Sequence, residues 1–186
     1  MNQTLKTIES RYTCRNYDGC PVEREKLDAI ALTAVQAPSA MNRQPWEIVV
    51  ITDKALIDEM DAEAMNALAE REDKTMYERI KERGGKIFYN APCVFIVNKM
   101  TDTGSNWVDL DCGIVTQNIA LAAESLGLGN CICAMMAIPL NGANGAKYKN
   151  KLNITEGREF GMAVLVGHAA APGTPHTPNM EKVKFI

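Results

Sequence analysis

Apolar residues along this chain recur with two different periods, and the alternation between the two periods predicts the order of its elements. Leu27, Ile30 and Ala34 recur at helical spacing, which predicts a helix with one buried side. The segment from Glu47 to Ile51 instead ends in an unbroken apolar run, typical of a strand that is buried on both faces. The whole pattern predicts helices over 4–10, 22–36, 53–83 (one broken helix or two) and 106–126, a weakly patterned helix and loop over 139–153, and strands over 47–51, 91–97, 128–133 and 160–168.

Residues that start or end helices support these limits. Pro21 lies near the start of the 22–36 helix and Pro38 lies just past its end, two positions that proline favours. Gly84 and Gly85 close the 53–83 segment, and Gly127 ends the 106–126 helix, as glycine often does. Ser105 is the expected N-cap of that last helix.

The helix predicted over 106–126 is unusually apolar in its second half. Residues 114–123 are apolar on nearly every face, and such a helix is normally buried all round. Since a chain of this size rarely surrounds one helix completely, we expect a subunit interface there. Gln117 and Asn118 lie inside the apolar stretch and need hydrogen-bond partners, either from a second subunit or from a ligand.

The last segment of the chain has no helical period. Three prolines fall between positions 172 and 178, which favours an extended tail that lies along a surface. Residues 183–186 have strand character, so we expect the tail to reach a neighbouring subunit.

The composition is that of an ordinary globular protein. Of the 186 residues, 46% are hydrophobic and 23% are charged, so we expect one domain over 1–186 with a sizeable core. The net charge of −3 gives no electrostatic footprint for nucleic acid. The sequence shows neither a run of membrane-spanning length nor an apolar signal core, so we expect a cytoplasmic protein without a membrane partner.

The residue types that usually carry catalysis are sparse. Most of the six cysteines lie inside apolar runs, which favours reduced core thiols over disulfides. The two histidines lack the spacing of zinc ligands, and His168 at a strand end is more typical of a structural histidine. The sequence has no G-x-S-x-G, H-E-x-x-H or P-loop motif. It therefore encodes either a binding protein or an enzyme whose cofactor supplies the chemistry.

Arg11, Thr13 and Arg15 bring two guanidinium groups and a hydroxyl into one short segment. Guanidinium groups bind phosphate oxygens in bidentate geometry, and each charge-assisted hydrogen bond contributes roughly 1.5–3 kcal/mol. The segment can therefore hold a phosphate even though the chain is acidic overall. Surface ion pairing of the two arginines is the alternative.

Residues 37–46 form the loop between a predicted helix and a predicted strand. Prolines restrict its backbone at both ends, uncharged hydrogen-bonding groups lie between them, and an aromatic ring follows: Pro38, Ser39, Asn42, Gln44, Pro45 and Trp46. This combination suits a planar ligand with polar edges better than a metal ion or a nucleophile. An ordinary ordered connector is the alternative.

Four stretches of the chain resemble, in order and in spacing, the motifs of the flavin-dependent nitroreductase family. They are Glu9 to Tyr17, Ala37 to Trp46, Asp111 to Gly129, and Gly161 to Gly167. The resemblance covers almost the whole chain. It implies an α+β fold with a central, mostly antiparallel sheet flanked by helices, in a homodimer that exchanges its C-terminal tails and binds two FMN molecules at the subunit interface.

The resemblance also implies which residues bind the cofactor. Arg11, Thr13 and Arg15, with the backbone of Tyr12, would hold the phosphate and the ribityl chain. Pro38, Ser39, Ala40, Met41 and Asn42 would contact the same flavin from the other subunit, with Gln117 as a further contact. Ile132 and Cys133 would lie near the isoalloxazine, and Gly167 and His168 would approach the phosphate side. Lys182 and Lys184 of the tail stand where many family members place an arginine toward the phosphate.

The activity implied is ping-pong oxidation of NAD(P)H. A hydride passes from the nicotinamide to the flavin and then to a small electron acceptor such as a nitroaromatic or a quinone, with no catalytic side chain and no metal. Two alternatives remain. One is a flavin-binding store or sensor without turnover, and the other is a flavin-fragmenting or dehalogenating relative, in which the region from 59 to 83 forms a substrate lid.

Overall fold

The computed structural model describes residues 2–186, in which helices and strands alternate. The helices are α1 (Gln3–Ser10), α2 (Arg24–Val35), α3 (Lys54–Ala69), α4 (Thr75–Glu82), α5 (Val108–Ser125), α6 (Ala137–Asn141) and α7 (Gly145–Lys151). The strands are β1 (Trp46–Ile51), β2 (Cys93–Met100), β3 (Gly129–Ile132) and β4 (Arg158–Gly167). Short 3-10 turns lie at Ala40–Asn42, Ala134–Met136 and Met180–Lys182.

The four strands form one antiparallel sheet in the order β1-β2-β4-β3. The central strand β2 separates two cores because its side chains alternate between the two faces. Val94 and Ile96 pack toward α3 and α6, whereas Phe95 and Val97 pack toward α2 and α5. The sequence prediction of an α+β fold with a mostly antiparallel sheet flanked by helices is confirmed. One domain over 1–186 stays a prediction.

The element limits differ from the predicted ones by a few residues. Helix α5 begins at Val108 instead of 106, and the Ser105 hydroxyl accepts a hydrogen bond from Trp107 N–H at 3.3 Å. Ser105 therefore caps the turn before the helix. The predicted 53–83 helical segment is two helices, and the weakly patterned 139–153 segment contains parts of two short helices. Strand β3 ends one residue before Cys133, so that residue lies just past the strand.

Helix α5 is buried on one side only within this chain, whereas its apolar pattern predicted burial all round. Its inner side, including Val115 and Ile119, is fully buried against the sheet and α2. The outer side consists of residues spaced three and four apart that stay exposed or half-buried: Trp107, Leu110, Ile114, Gln117 and Leu121. We call this set the outer face of α5. Gly127, which follows the helix with φ +73°, ends it as predicted.

The C-terminal tail runs over the surface without a strand of its own. Residues 171–186 are all exposed, and Val183 to Ile186, for which we expected strand character, pair with no strand of the described chain. The root of the tail lies on Tyr12, since a Cβ added at Gly173 would overlap the Tyr12 ring. None of the helices in residues 2–186 combines the length and hydropathy needed to cross a bilayer.

Candidate functional site

Residues 11–17 form an extended segment that covers the outer edge of β3. Thr13 makes a parallel bridge to Asn130, and Cys14 N–H donates to the Asn130 carbonyl at 2.8 Å. Further along, Tyr17 bridges to Ala169 just past β4. Backbone hydrogen bonds thus hold the segment along its length. The side chains of its arginines are not needed for this pairing and are available for other contacts.

The two arginines of this segment have different surroundings. The half-buried Arg11 donates from Nη1 to Asn130 Oδ1 at 3.1 Å, while Arg15 is exposed. Neither guanidinium forms an ion pair with a carboxylate of residues 2–186. The alternative of surface ion pairing therefore finds no support in the described chain. Tyr12 between them is partly buried, and this burial raises the pKa of its phenol, so Tyr12 stays neutral.

Asn130 is a residue that the sequence analysis missed. It is fully buried, it orients Arg11 through Oδ1, and its Nδ2 has no hydrogen-bond partner within residues 2–186. A buried amide donor without a partner is rare in proteins. The sequence feature that could have indicated its role is that Asn130 is one polar residue within an otherwise apolar predicted strand.

Ile132, Cys133, Gly167 and His168 gather near the same segment. Ile132 is 38% exposed, whereas Cys133 is buried and donates its N–H to the Ala163 carbonyl at 2.8 Å. The main-chain carbonyl of His168 accepts a hydrogen bond from Asp18 N–H at 3.1 Å. The imidazole Nε2 of His168 lies 3.2 Å from Glu23 Oε2. We call residues 11–17, together with these four residues and Asn130, the arginine half of the candidate site.

The buried thiols of Cys131 and Cys133 are not activated. Burial raises the pKa of Cys133, and it raises the pKa of Cys131 to about 12. All six cysteines are free. Because the thiolate is the nucleophilic form, these two thiols stay protonated and inert near neutral pH.

Residues 38–44 form the second group, which we call the loop half. Met41, Asn42 and Gln44 have φ values of +54°, +53° and +48°, a region that non-glycine residues rarely adopt. Such strain persists only where surrounding contacts impose it, and it clusters at functional sites. The strain makes the loop a candidate functional element, and Met41 at its tip is 85% exposed.

Hydrogen bonds hold the strained loop in place. Gln44 N–H donates to Ser39 Oγ at 2.9 Å, and the Arg43 side chain donates to the Thr103 carbonyl at 2.9 Å. Ala40 N–H donates to Asp111 Oδ1 at 3.1 Å, from the loop to the first turn of α5. Asp111 is a second residue to which the sequence analysis gave no role in the site, although it lies within one of the motifs.

The two halves lie at opposite ends of α5. The loop half joins the helix at Asp111, near its N-terminus. The arginine half lies near its C-terminus, where Ser10, the residue directly before this half, donates from Oγ to Glu124 Oε1 at 2.9 Å. These two helix positions are 13 residues apart, which corresponds to about 20 Å along the helix axis. Each half thus lacks, at its own end of α5, the groups that the other half offers.

Gln117 and Asn118, at the middle of α5, face different surroundings. Asn118 finds its partner within the chain, since its Nδ2 donates to the Thr33 carbonyl of α2 at 3.1 Å. Gln117 instead points outward with the outer face of α5 and is exposed. Of the two residues expected to need a partner, only Gln117 is open to a second subunit or a ligand.

These features define an α+β protein with a split site: arginines beside a buried amide at one end of a helix, and a rigid uncharged loop at the other. The chain belongs to the nitroreductase family, whose model matches residues 8–168. Its structure is similar to that of an FMN-bound nitroreductase from Desulfitobacterium hafniense, with a TM-score of 0.95, 43% identity, and coverage of 100% of this chain and 99% of the other.

Two curated relatives are more distant. A protein of Archaeoglobus fulgidus, provisionally named an NADH dehydrogenase/NAD(P)H nitroreductase, is 31% identical over 134 residues, covering 70% of this chain and 66% of the relative. The NADPH-flavin oxidoreductase of Vibrio harveyi is 30% identical over 131 residues, covering 69% of this chain and 52% of the relative. The matched segment thus spans between half and two thirds of these relatives.

Proposed function

We propose that the protein is an FMN-dependent NAD(P)H oxidoreductase that works as a homodimer and reduces small acceptors such as nitroaromatics or quinones. The observation that carries the proposal is the division of the site between the two ends of α5. A second copy that lies against the outer face of α5, in antiparallel orientation, would bring its loop half to the arginine half of the first. Each dimer would then have two composite sites.

The arginine half fits the phosphate end of FMN. Arg11 and Arg15 offer guanidinium donors without an ion-pair partner in residues 2–186, and the unpartnered Asn130 Nδ2 adds a buried donor beside Arg11. Donors and positive charge together suit a phosphate. Thr13 and the backbone of Tyr12 would hold the adjoining ribityl chain, and Gly167 and His168 would lie on the phosphate side.

The loop half fits the flavin from the second subunit. Its backbone is already fixed by hydrogen bonds, so little ordering entropy is lost when a ligand binds. Pro38, Ser39, Ala40, Met41 and Asn42 would contact the flavin there, and Gln117 on the outer face of α5 would lie at the same interface. Lys182 and Lys184 of the tail are exposed and would approach the phosphate only after tail exchange.

Exposed apolar residues support the dimer. Leu110 and Trp107 of the outer face are 60% and 59% exposed, and Leu32 of α2 is 61% exposed. The tail ends in Phe185 at 91% exposure, while β1 at the edge of the sheet has no partner strand on its outer side within residues 2–186. Contiguous exposed apolar patches often mark interaction sites. Tail exchange onto a second copy would cover it.

The chain's own residues would bind and orient the cofactor and exclude water from it. Once bound, the flavin would supply the redox chemistry, accepting a hydride from NAD(P)H and passing electrons to the acceptor. No side-chain base is needed, and the protonated thiols of Cys131 and Cys133 are not candidates for one. Ile132, exposed at the end of β3, would offer an apolar contact to the ring system.

Anaerobic titration tests the activity. The purified protein is loaded with FMN, and NADH or NADPH is added in the absence of oxygen. Loss of the flavin absorbance band, followed by its return when a quinone or nitroaromatic is added, is the expected result. An FMN-loaded protein whose band persists with both nucleotides would instead be a flavin store or sensor. A monomeric protein that remains colourless after soaking with FMN would overturn the proposal altogether.

A mixture of two defective chains tests the composite site. One chain carries Arg11→Ala with Arg15→Ala, and the other carries Ala40→Pro, which removes the N–H that donates to Asp111. Ser39 at φ −141° and ψ 158° accommodates a following proline. Each variant alone should bind FMN weakly, whereas mixed dimers should recover one tight site for every two chains. If each site came from one chain, mixing would recover none.

A further inference from the structure

One carboxylate oxygen of Asp111, the residue that anchors the loop half, has no partner. Asp111 is 3% exposed, and its Oδ1 accepts from Ala40 N–H at 3.1 Å. Its Oδ2 is buried and receives no hydrogen bond from residues 2–186. A buried carboxylate is strongly disfavoured unless its oxygens are hydrogen-bonded. The helix dipole stabilises a negative charge in the first turn of α5, but it does not supply the missing donor.

The residue that carries this oxygen also borders a cavity. Asp111 lines a shallow pocket of about 250 Å³ between the loop and α5, together with Pro38, Ser39, Ala40, Trp107, Leu110 and Ile114. Asp111 is the one charged residue in this lining, and most of the others are apolar. The pocket therefore offers a small apolar surface with a single strong hydrogen-bond acceptor.

The chemistry of the pocket selects the kind of group that can complete it. A phosphate is excluded because its charge would repel the carboxylate, and the lining contains no cation to offset that repulsion. The nearby Lys99 is already paired with Asp109 at 2.8 Å. A neutral hydroxyl or N–H donor satisfies Oδ2 without bringing another charge into the apolar lining.

We propose that Asp111 is shared between the loop and the ligand. Oδ1 orients the loop through Ala40, and Oδ2 accepts a hydrogen bond from a hydroxyl of the ligand's polyol chain. The proposal rests on the proposed function, since the ribityl chain of FMN supplies those hydroxyls. Asp111 thereby also sets the orientation of the ligand. Its charge repels the phosphate from the loop half, so that the phosphate lies at the arginine half.

Asp111→Asn tests the contact, with Asp109→Asn as the matched control. Asparagine keeps one oxygen for Ala40 N–H but replaces the second acceptor by a donor. The control changes an exposed carboxylate two residues away, on the same helix turn. FMN affinity, measured by quenching of flavin fluorescence, should fall roughly tenfold or more for Asp111→Asn and stay within about twofold for Asp109→Asn.

Two flavins identify the donor. Riboflavin carries the polyol chain without the phosphate, and lumiflavin lacks both. Asp111→Asn should weaken riboflavin binding but leave lumiflavin binding unchanged. A loss that is equal for both ligands would place the donor on the ring or on the partner subunit and overturn the proposal. If the variant does not fold, the wild-type protein decides, because equal affinity for riboflavin and lumiflavin would also overturn it.

The outcomes separate this inference from the proposed function. A wild-type protein that binds no FMN contradicts the proposed function. A wild-type protein that binds FMN, with Asp111→Asn binding it equally well, contradicts only the proposed contact between Asp111 and the polyol chain. The thermal midpoint of each apoprotein is measured alongside, so that a general loss of stability is not mistaken for a lost contact.

Discussion

The arginine half and the loop half of the candidate site are built by different physical means. In the arginine half, an unstrained extended segment follows the edge of β3, and long charged side chains extend from it. In the loop half, three non-glycine residues adopt positive φ, and no charged side chain other than Arg43 lies on the loop. One half offers charge on an ordinary backbone, while the other offers a fixed backbone with little charge.

This difference assigns separate tasks to the two halves. Charge-assisted hydrogen bonds give large binding energies and depend on salt. A rigid loop gives shape and orientation, because its ordering is complete before the ligand arrives. We therefore expect the arginine half to determine how tightly a phosphorylated ligand binds, and the loop half to determine how it is oriented.

Removal of both guanidinium groups should have the largest effect. Arg11→Ala and Arg15→Ala should each weaken FMN binding by roughly 10- to 150-fold, the equivalent of one charge-assisted hydrogen bond of about 1.5–3 kcal/mol. The double variant should lose FMN on purification while keeping its helical circular dichroism. Arg71→Ala, at an exposed turn after α3, is the control. Double-variant protein that purifies as yellow as wild type would refute the phosphate role.

The salt dependence of FMN and riboflavin binding should have the next largest effect and should distinguish the contributions of the two halves. The Debye length falls from about 10 Å at 0.1 M salt to about 3 Å at 1 M, so FMN binding should weaken several-fold over that range. Riboflavin binding should change little, because the phosphate is absent. Isothermal titration at several salt concentrations measures both. Equal salt dependence for the two ligands would mean that the arginines act on something other than the phosphate.

Ser39→Ala should have a smaller effect that does not depend on the phosphate. The substitution removes the acceptor for Gln44 N–H, a hydrogen bond that contributes about 0.5–1.5 kcal/mol. FMN and riboflavin should weaken by the same factor, up to about tenfold. Thr101→Ala, which removes a hydroxyl that donates to the Gly157 carbonyl, is the control. A loss confined to FMN would place Ser39 at the phosphate instead.

The sequence predicted the contents of each half more readily than their separation. Arg11, Thr13 and Arg15 were recognisable because charge on a short segment needs no tertiary context, and the loop was recognisable by its prolines and amides. Asn130 and Asp111 were not recognised as parts of the site, because their importance depends on burial, which their neighbours in space create. The sequence likewise predicted burial for the outer face of α5, since periodicity reports that a face is apolar without showing which molecule covers it.

Met41→Gly should have the smallest effect and the opposite sign. The left-handed conformation disfavours an L-residue by roughly 1–2 kcal/mol, and glycine avoids this while losing some chain entropy on folding. The apoprotein should therefore gain about 0.5–1 kcal/mol in the free energy of unfolding, measured in urea. Ala40→Gly is the control, because Ala40 lies outside the set of positive-φ residues and should lose stability from the same substitution. If Met41→Gly also destabilises the apoprotein, the loop is not strained, and its backbone no longer differs in kind from that of the arginine half.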